Sequence, residues 1–169
     1  MRVGLIADSH DHVPAIAEFA RRFAAAGVGM VLHAGDYCSP FALDPFLSVS
    51  LPFAGIFGRN DGDHEGLRAA AARGIGTELY ESPHSVEVSG QRILMVHDLG
   101  DVSERSIAGH AFVVHGCSHE REVRTAGESL LVNPGEACGW LHGIPTAAIL
   151  DLISKEIEFI TLPPVEALR

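Results

Sequence analysis

The chain is short of cysteine: Cys38, Cys117 and Cys138 are odd in number, widely spaced and free of any CxxC pair. That argues against a disulfide framework and fits a reducing compartment. It also has no apolar run long enough to span a bilayer, and the apolar stretch of its N-terminus, MRVGLIADSH, ends at Asp8, too short for a signal sequence. A cytoplasmic protein without a membrane partner is the expectation. Positive charge is scarce as well, with 12 Lys and Arg against 22 Asp and Glu, a formal net charge of −10. The basic residues are scattered, which leaves no electrostatic footprint for duplex nucleic acid. There is no internal repeat, no low-complexity tract and no linker rich in Pro, Gly or Ser. One domain over residues 1–169 is expected, long enough to bury a core. Histidine is the excess: ten residues, where an average composition gives roughly four. That count suggests metal or proton chemistry.

The first half alternates buried runs with helices. RVGLIA (2–7) is too short for a helix before the polar DSHDH and reads as a buried strand. Pro14 suits a first helical turn, and Ile16, Phe19, Ala20 and Phe23 recur at helical spacing until Gly27. GMVLHAGD repeats the strand-and-turn pattern, Ser39-Pro40 opens a short helical stretch limited by Pro45, and LPFAGIFG is a third buried run. DHEGLRAAAARG reads as a third helix closed by glycine. Strand, polar turn and helix three times over is an α/β architecture. The second half reads as hairpins: HSVEVSGQRILMVHD turning at Ser89-Gly90, EVRTAGESLLVN at Ala126-Gly127 and AAILDLISKEIEFITL at Ser154-Lys155. A helix over 102–108 and a strand in HAFVVHG lie between the first two. Such hairpins imply a second, largely antiparallel sheet packed on the first.

Ligands of open α/β sheets bind beyond the carboxyl ends of the strands, so the polar residues there are the candidates for a site. They are Asp8, Ser9, His10, Asp11 and His12 after the first run, Asp36 after the second, and Arg59, Asn60 and Asp61 after the third. RILMV delivers His97 and Asp98, and AFVVHG delivers His115, Cys117 and His119. Each signal has an ordinary reading. D-x-H is also an Asx turn, Gly35-Asp36 is common turn chemistry, His97 can be a strand-end histidine and Cys117 a small buried hydrophobe. Their coincidence at five exits favours a site. Mixed nitrogen and oxygen ligands suit Mn²⁺, Fe²⁺ or Zn²⁺, and an aspartate shared between two ions is a design for attack at phosphorus.

The ordered series DSH (8–10), GD (35–36), GRND (58–61), HD (97–98), GCSH (116–119) and NPG (133–135) resembles the motifs of the calcineurin-like metallophosphoesterases, in particular the small phosphodiesterases of the YfcE type. The resemblance implies an α/β (α+β) fold, a four-layer α-β-β-α sandwich of two packed mixed sheets. It implies a metal-dependent phosphodiesterase or phosphatase that hydrolyses a small phosphate ester through a metal-bound hydroxide. In that family the first metal's ligands fall at Asp8, His10, Asp36 and His119, all present here. The second metal's fall at Asp36, Arg59, His97 and Cys117, two of them altered. Arginine has no acceptor and a fixed charge, so Arg59 cannot ligate a cation; a Cys117 thiolate can, and favours Zn²⁺ or iron.

Three readings follow. In the first, one intact metal site works beside Arg59, which pairs with Asp36 or grips the substrate phosphate, with Asn60 where the family often places a catalytic residue. In the second, both ions remain, with Asn60 and Cys117 as ligands; His115, Cys117 and His119 share parity, so an extended chain points all three to one side. In the third, the fold persists as a catalytically silent binding or scaffold module with at most one metal. Alternatively, Arg59 simply points to solvent. Glu136, Cys138 and Trp140, in the loop after NPG, either shape the pocket or only pack.

Overall fold

The structure, a computed structural model, describes residues 1–168. Two mixed sheets pack face to face. The first is built on β1 (Arg2–Ile6), β2 (Met30–His33) and β3 (Phe53–Ile56), which run parallel, with the short β4 (Leu79–Tyr80) beyond β3. The second contains β5 (His84–Val88), β6 (Gln91–Met95), β7 (Phe112–Val114), β8 (Arg121–Ala126) and β9 (Ser129–Pro134) in the order β5-β6-β7-β9-β8. β10 (Thr146–Asp151) and β11 (Ile157–Thr161) return to the first sheet, β10 lying antiparallel to β1.

Alternation along β1 explains the layering. Val3 and Leu5 enter the core between the sheets with Leu32, Ile56, Ile93, Met95, Phe112 and Val114, whereas Ile6 faces the helices. There, α1 (Val13–Ala25) presents Ile16, Phe19, Ala20 and Phe23, all fully buried. Full burial of each phenylalanine stabilises by about 1.5–3 kcal/mol. A Cβ on Gly4 would come within 2.9 Å of the Phe23 ring, which is why this strand position carries no side chain. α2 (Asp44–Leu47) and α3 (His64–Ala70) complete that helical layer, and Leu67 joins its core. On the outer face of the second sheet, Ile107 of α4 (Glu104–Ala108) packs with Leu99 and Val102 over Leu94, Val96, Val113 and Leu131. The order of layers is therefore α-β-β-α, the last one thin.

Three details differ from the sequence reading. The second sheet is not largely antiparallel, because β6, β7 and β9 run parallel through its centre and only its edge strands pair as hairpins. The terminal hairpin belongs to the first sheet. Turn residues reveal that two strands form a hairpin, but not which sheet the hairpin joins. The third helix passes Gly74 as a π turn over Ala71–Ile75 and stops at Gly76, whose φ of 71° supplies the left-handed end.

Candidate metal centre

The parallel strands of both sheets end at one edge, and their exits are stitched together by backbone hydrogen bonds. Asp8 N–H donates to Gly35 O at 3.1 Å, and Ser9 and His10 N–H both donate to Asp36 O at 3.0 Å. Gly116 N–H donates to His97 O at 3.0 Å in the second sheet. Between the sheets, Ala137 N–H reaches Ala7 O at 2.9 Å and Cys138 N–H reaches Asp8 O at 3.1 Å. These turns are tight. Ten non-glycine residues among those described have positive φ, and seven of them lie here: Asp8, His10, Asp11, Asp36, Cys38, Cys117 and His119. Left-handed backbone at non-glycine residues concentrates where a site over-determines it.

The side chains converge on two buried carboxylates. Asp36 Oδ2 lies 3.4 Å from His10 Nε2 and 3.5 Å from His97 Nε2, and Asp8 Oδ1 lies 3.9 Å from His119 Nε2. The His10 and His119 rings stack with centroids 5.1 Å apart. Asn60 grips Asp36 twice, its backbone N–H donating to Oδ1 and its amide to Oδ2, each at 2.8 Å. His97 Nδ1 faces Ala34 O at 2.9 Å and His119 Nδ1 faces Glu136 at 2.9 Å, so both rings turn Nε2 inward. Acceptors behind Nδ1 select the tautomer whose Nε2 carries a free lone pair.

Electrostatics follow from this crowding. Burial pushes the Asp8 carboxyl up to about 6. Burial also pushes Asp36 upward, but the bonds from His97 and Asn60 outweigh it and hold that group well below the usual carboxylate range. Burial disfavours a charge on His97, yet its bond to Asp36 prevails and lifts it to about 9. For His10 burial dominates and lowers the imidazole.

Residues set aside or left open by sequence reasoning hold this arrangement. Asp61 accepts backbone N–H groups from Asp36 at 3.1 Å, Gly58 at 2.7 Å and Cys38 at 2.8 Å, tying the second exit to the third. Glu136 is 1% exposed and also accepts from His142 N–H at 2.6 Å and Leu141 N–H at 3.1 Å. Cys138 lies beside His10 and His119, and their ligand atoms fall within 4.8 Å of one another. A carboxylate directly after the Asn133-Pro134-Gly135 turn was the only signal for Glu136. Nothing in the spacing pointed Cys138 toward the two histidines.

Arg59, Asp98 and Cys117 meet at one corner. Arg59 Nη2 lies 2.6 Å from Asp98 Oδ2 and 3.7 Å from Asp101 Oδ1, with 59% of its side chain exposed. Its recorded partners are thus Asp98 and Asp101, not Asp36. Cys117 N–H donates to Asp8 Oδ1 at 3.2 Å, while its Sγ points to Asp98 Oδ2 at 3.7 Å. Burial first, then the Asp98 charge, push the Cys117 thiol up. His115 stands apart, its Nε2 3.1 Å from Glu122 and its Nδ1 3.4 Å from Asn133. The parity argument for His115 fails because Cys117 and His119 have φ of 67° and 62°, so the chain between them is not extended.

A divalent cation fits this cluster. Asp8 Oδ2 and His10 Nε2 are buried polar atoms without a hydrogen-bond partner, an arrangement that costs free energy unless something binds there. Two ligands each about 2.1 Å from a shared ion stand roughly 3–3.5 Å apart, and the Asp36 contacts with His10 and His97 have that spacing. The ligand atoms of Asp8, Asp36 and His97 also lie within 4.8 Å of one another. Glycine lets the backbone close around the carboxylates: a Cβ on Gly116 would stand 2.9 Å from Asp8 Oδ2.

Comparison with known proteins agrees with this geometry. The family model described as the Calcineurin-like phosphoesterase superfamily domain matches residues 1–155. Phosphodiesterase MJ0936 of Methanocaldococcus jannaschii is 32% identical over 165 residues, 96% of this chain and 99% of the relative. A solved structure described as a novel archaeal phosphodiesterase superposes with a TM-score of 0.89 at 32% identity, covering 96% of this chain and 100% of that one. Yfce, a phosphoesterase from E. coli, shares the fold with a TM-score of 0.68 at 15% identity, over 97% of this chain and 100% of its own. The motif series, the two-sheet sandwich and the match over most of its length place the chain in the calcineurin-like phosphoesterase superfamily.

Proposed function

We propose that the chain is a metal-dependent phosphoesterase for a small phosphodiester or phosphomonoester, with one ion held by Asp8, His10, Asp36 and His119. The observation that carries this reading is the pair of orphaned ligand atoms, Asp8 Oδ2 and His10 Nε2, buried at the meeting point of the strand exits. A divalent ion there supplies Lewis acidity and a water that is nucleophilic at neutral pH. The remaining work falls to the chain. Asn60 fixes the direction of the Asp36 carboxylate through two hydrogen bonds. Glu136 and the Ala34 carbonyl hold the tautomers of His119 and His97.

Arg59 borders the position of a second ion, and we assign it to the substrate phosphate. Its guanidinium is exposed and held to Asp98 and, more loosely, Asp101 through Nη2, which leaves its other donors for a phosphate oxygen. The Arg59 guanidinium, paired with Asp98 beside the Cys117 sulfur, puts a fixed positive charge at that corner, and this favours the one-ion arrangement over a two-ion centre.

Metal analysis of protein purified without added metal, followed by hydrolysis of bis(p-nitrophenyl) phosphate and p-nitrophenyl phosphate with Mn²⁺, Zn²⁺ or Fe²⁺, tests the reading. One ion per chain with turnover is expected. Two tightly held ions would contradict the one-ion arrangement, and no turnover with any metal would leave a binding module.

A further inference from the structure

Trp140 is the only tryptophan of the chain, and 53% of it is exposed. It is nevertheless held firmly. Its ring stacks on the His12 imidazole with centroids 4.6 Å apart, and its indole N–H donates to the backbone carbonyl of His10 at 3.2 Å. His12 is 6% exposed and anchored in turn, its Nδ1 lying 2.7 Å from the Cys138 carbonyl. The loop that carries the indole is pinned as well. Glu136 accepts the N–H groups of Leu141 and His142 while it holds His119, and Gly143 N–H closes on Gly139 O at 2.9 Å. His10 and His119, two of the proposed ligands, therefore position this tryptophan directly and through Glu136.

An indole with one face covered, a fixed tilt and the rest exposed has lost its rotamer freedom before any ligand arrives. Such a surface favours planar rings, because stacking on an immobilised aromatic incurs little ordering cost. We propose that Trp140 is a stacking platform for a planar ring carried by the ester group of the substrate, so that the substrate class is a phosphate ester bearing a nucleobase or another aromatic ring. The assignment rests on the phosphoesterase reading and narrows it from phosphate esters in general.

Because Trp140 is the sole tryptophan, its own fluorescence reports occupancy without a mutation. The metal-loaded protein is titrated with a nucleoside 5′-monophosphate, phenyl phosphate and glycerol phosphate, with tryptophan excited selectively. Saturable quenching by the nucleotide alone assigns a nucleobase, quenching by both ring-bearing esters assigns any aromatic ring, and quenching by phenyl phosphate alone assigns a small aryl group. An equal response to all three, no response, or a change driven only by protein concentration overturns the proposal.

A second arm compares kcat/KM for a nucleoside methyl phosphodiester with that for a glyceryl methyl phosphodiester. Trp140→Leu should reduce this ratio roughly 5- to 150-fold, the span that base–aromatic stacking contributes, and Trp140→Phe should restore most of it. An equal fall for both esters would mean that Trp140 only supports the loop, and it would overturn the proposal. Failure of wild-type protein to hydrolyse either ester counts against the phosphoesterase reading instead, and the fluorescence titration still decides the stacking.

Discussion

Glu136→Gln is the sharpest probe of how the centre is held. The native carboxylate receives His119 Nδ1–H on Oε2 at 2.9 Å and the His142 N–H on Oε1 at 2.6 Å, with Leu141 N–H shared between both oxygens. Glutamine keeps the volume but turns one acceptor into an NH₂ donor. If that donor faces His119, Nδ1 must accept and the ring proton moves to Nε2, the atom needed for an ion. Loss of such an outer partner weakens metal binding about 10- to 100-fold, or about 1.4–2.8 kcal/mol. If the donor faces the loop, a buried backbone N–H loses its acceptor at a cost of about 1–3 kcal/mol of stability. Competition with a chromogenic chelator measures the first effect and urea unfolding the second. An affinity within about twofold of wild type together with an unchanged urea midpoint would refute the role given to Glu136.

Other consequences can be checked separately. Despite burial, Asp36 raises His97 to about 9, so this histidine is protonated near pH 7 when no ion is bound. A cation beside Asp36 expels that proton, so metal binding should release about one proton and tighten as pH rises toward 9; buffer-independent calorimetric enthalpies would contradict this. Full burial lowers His33 from 6.5 to about 3. The unfolded chain then binds a proton in that window that the folded chain refuses, so this group leaves stability intact above pH 6.5 and costs up to a few kcal/mol as pH falls toward 3. Urea midpoints at pH 7 and pH 4.5 should differ less in His33→Asn, and an equal difference would refute the assignment. Arg59→Ala should lower kcat/KM about tenfold or more, the scale of a charged hydrogen bond. It should shift stability by less than about 1 kcal/mol, since its ion pairs are exposed. Unchanged kcat/KM would return Arg59 to the surface.

Much of this architecture is legible because its signals are local. The apolar runs that lead into Asp8, Asp36 and Arg59 become the parallel centre of the first sheet, and the helix spacing of Ile16, Phe19, Ala20 and Phe23 is the buried face of α1. The hairpin turns are also local, whereas the parallel pairing of β6, β7 and β9 and the return of β10 beside β1 depend on contacts distant in sequence. The same limit holds at the centre. The strand exits single out Asp8, His10, Asp36, His97 and His119 as candidates, and the structure brings their side chains together. The sequence cannot show that Arg59 turns to Asp98, because the direction of a side chain in a turn depends on what surrounds it. Nor can it show that a carboxylate at Glu136 clasps both a histidine and the loop that carries Trp140.

The central claim is that a divalent ion at Asp8, His10, Asp36 and His119 makes this chain a phosphoesterase. The most direct measurement is hydrolysis of bis(p-nitrophenyl) phosphate by purified protein before chelation, after exhaustive chelation, and after stepwise return of one ion per chain. The account predicts that chelation abolishes turnover and that activity returns fully by one equivalent, with Asp8→Asn failing to recover. Turnover that survives chelation, or that recovers equally in Asp8→Asn, would contradict it.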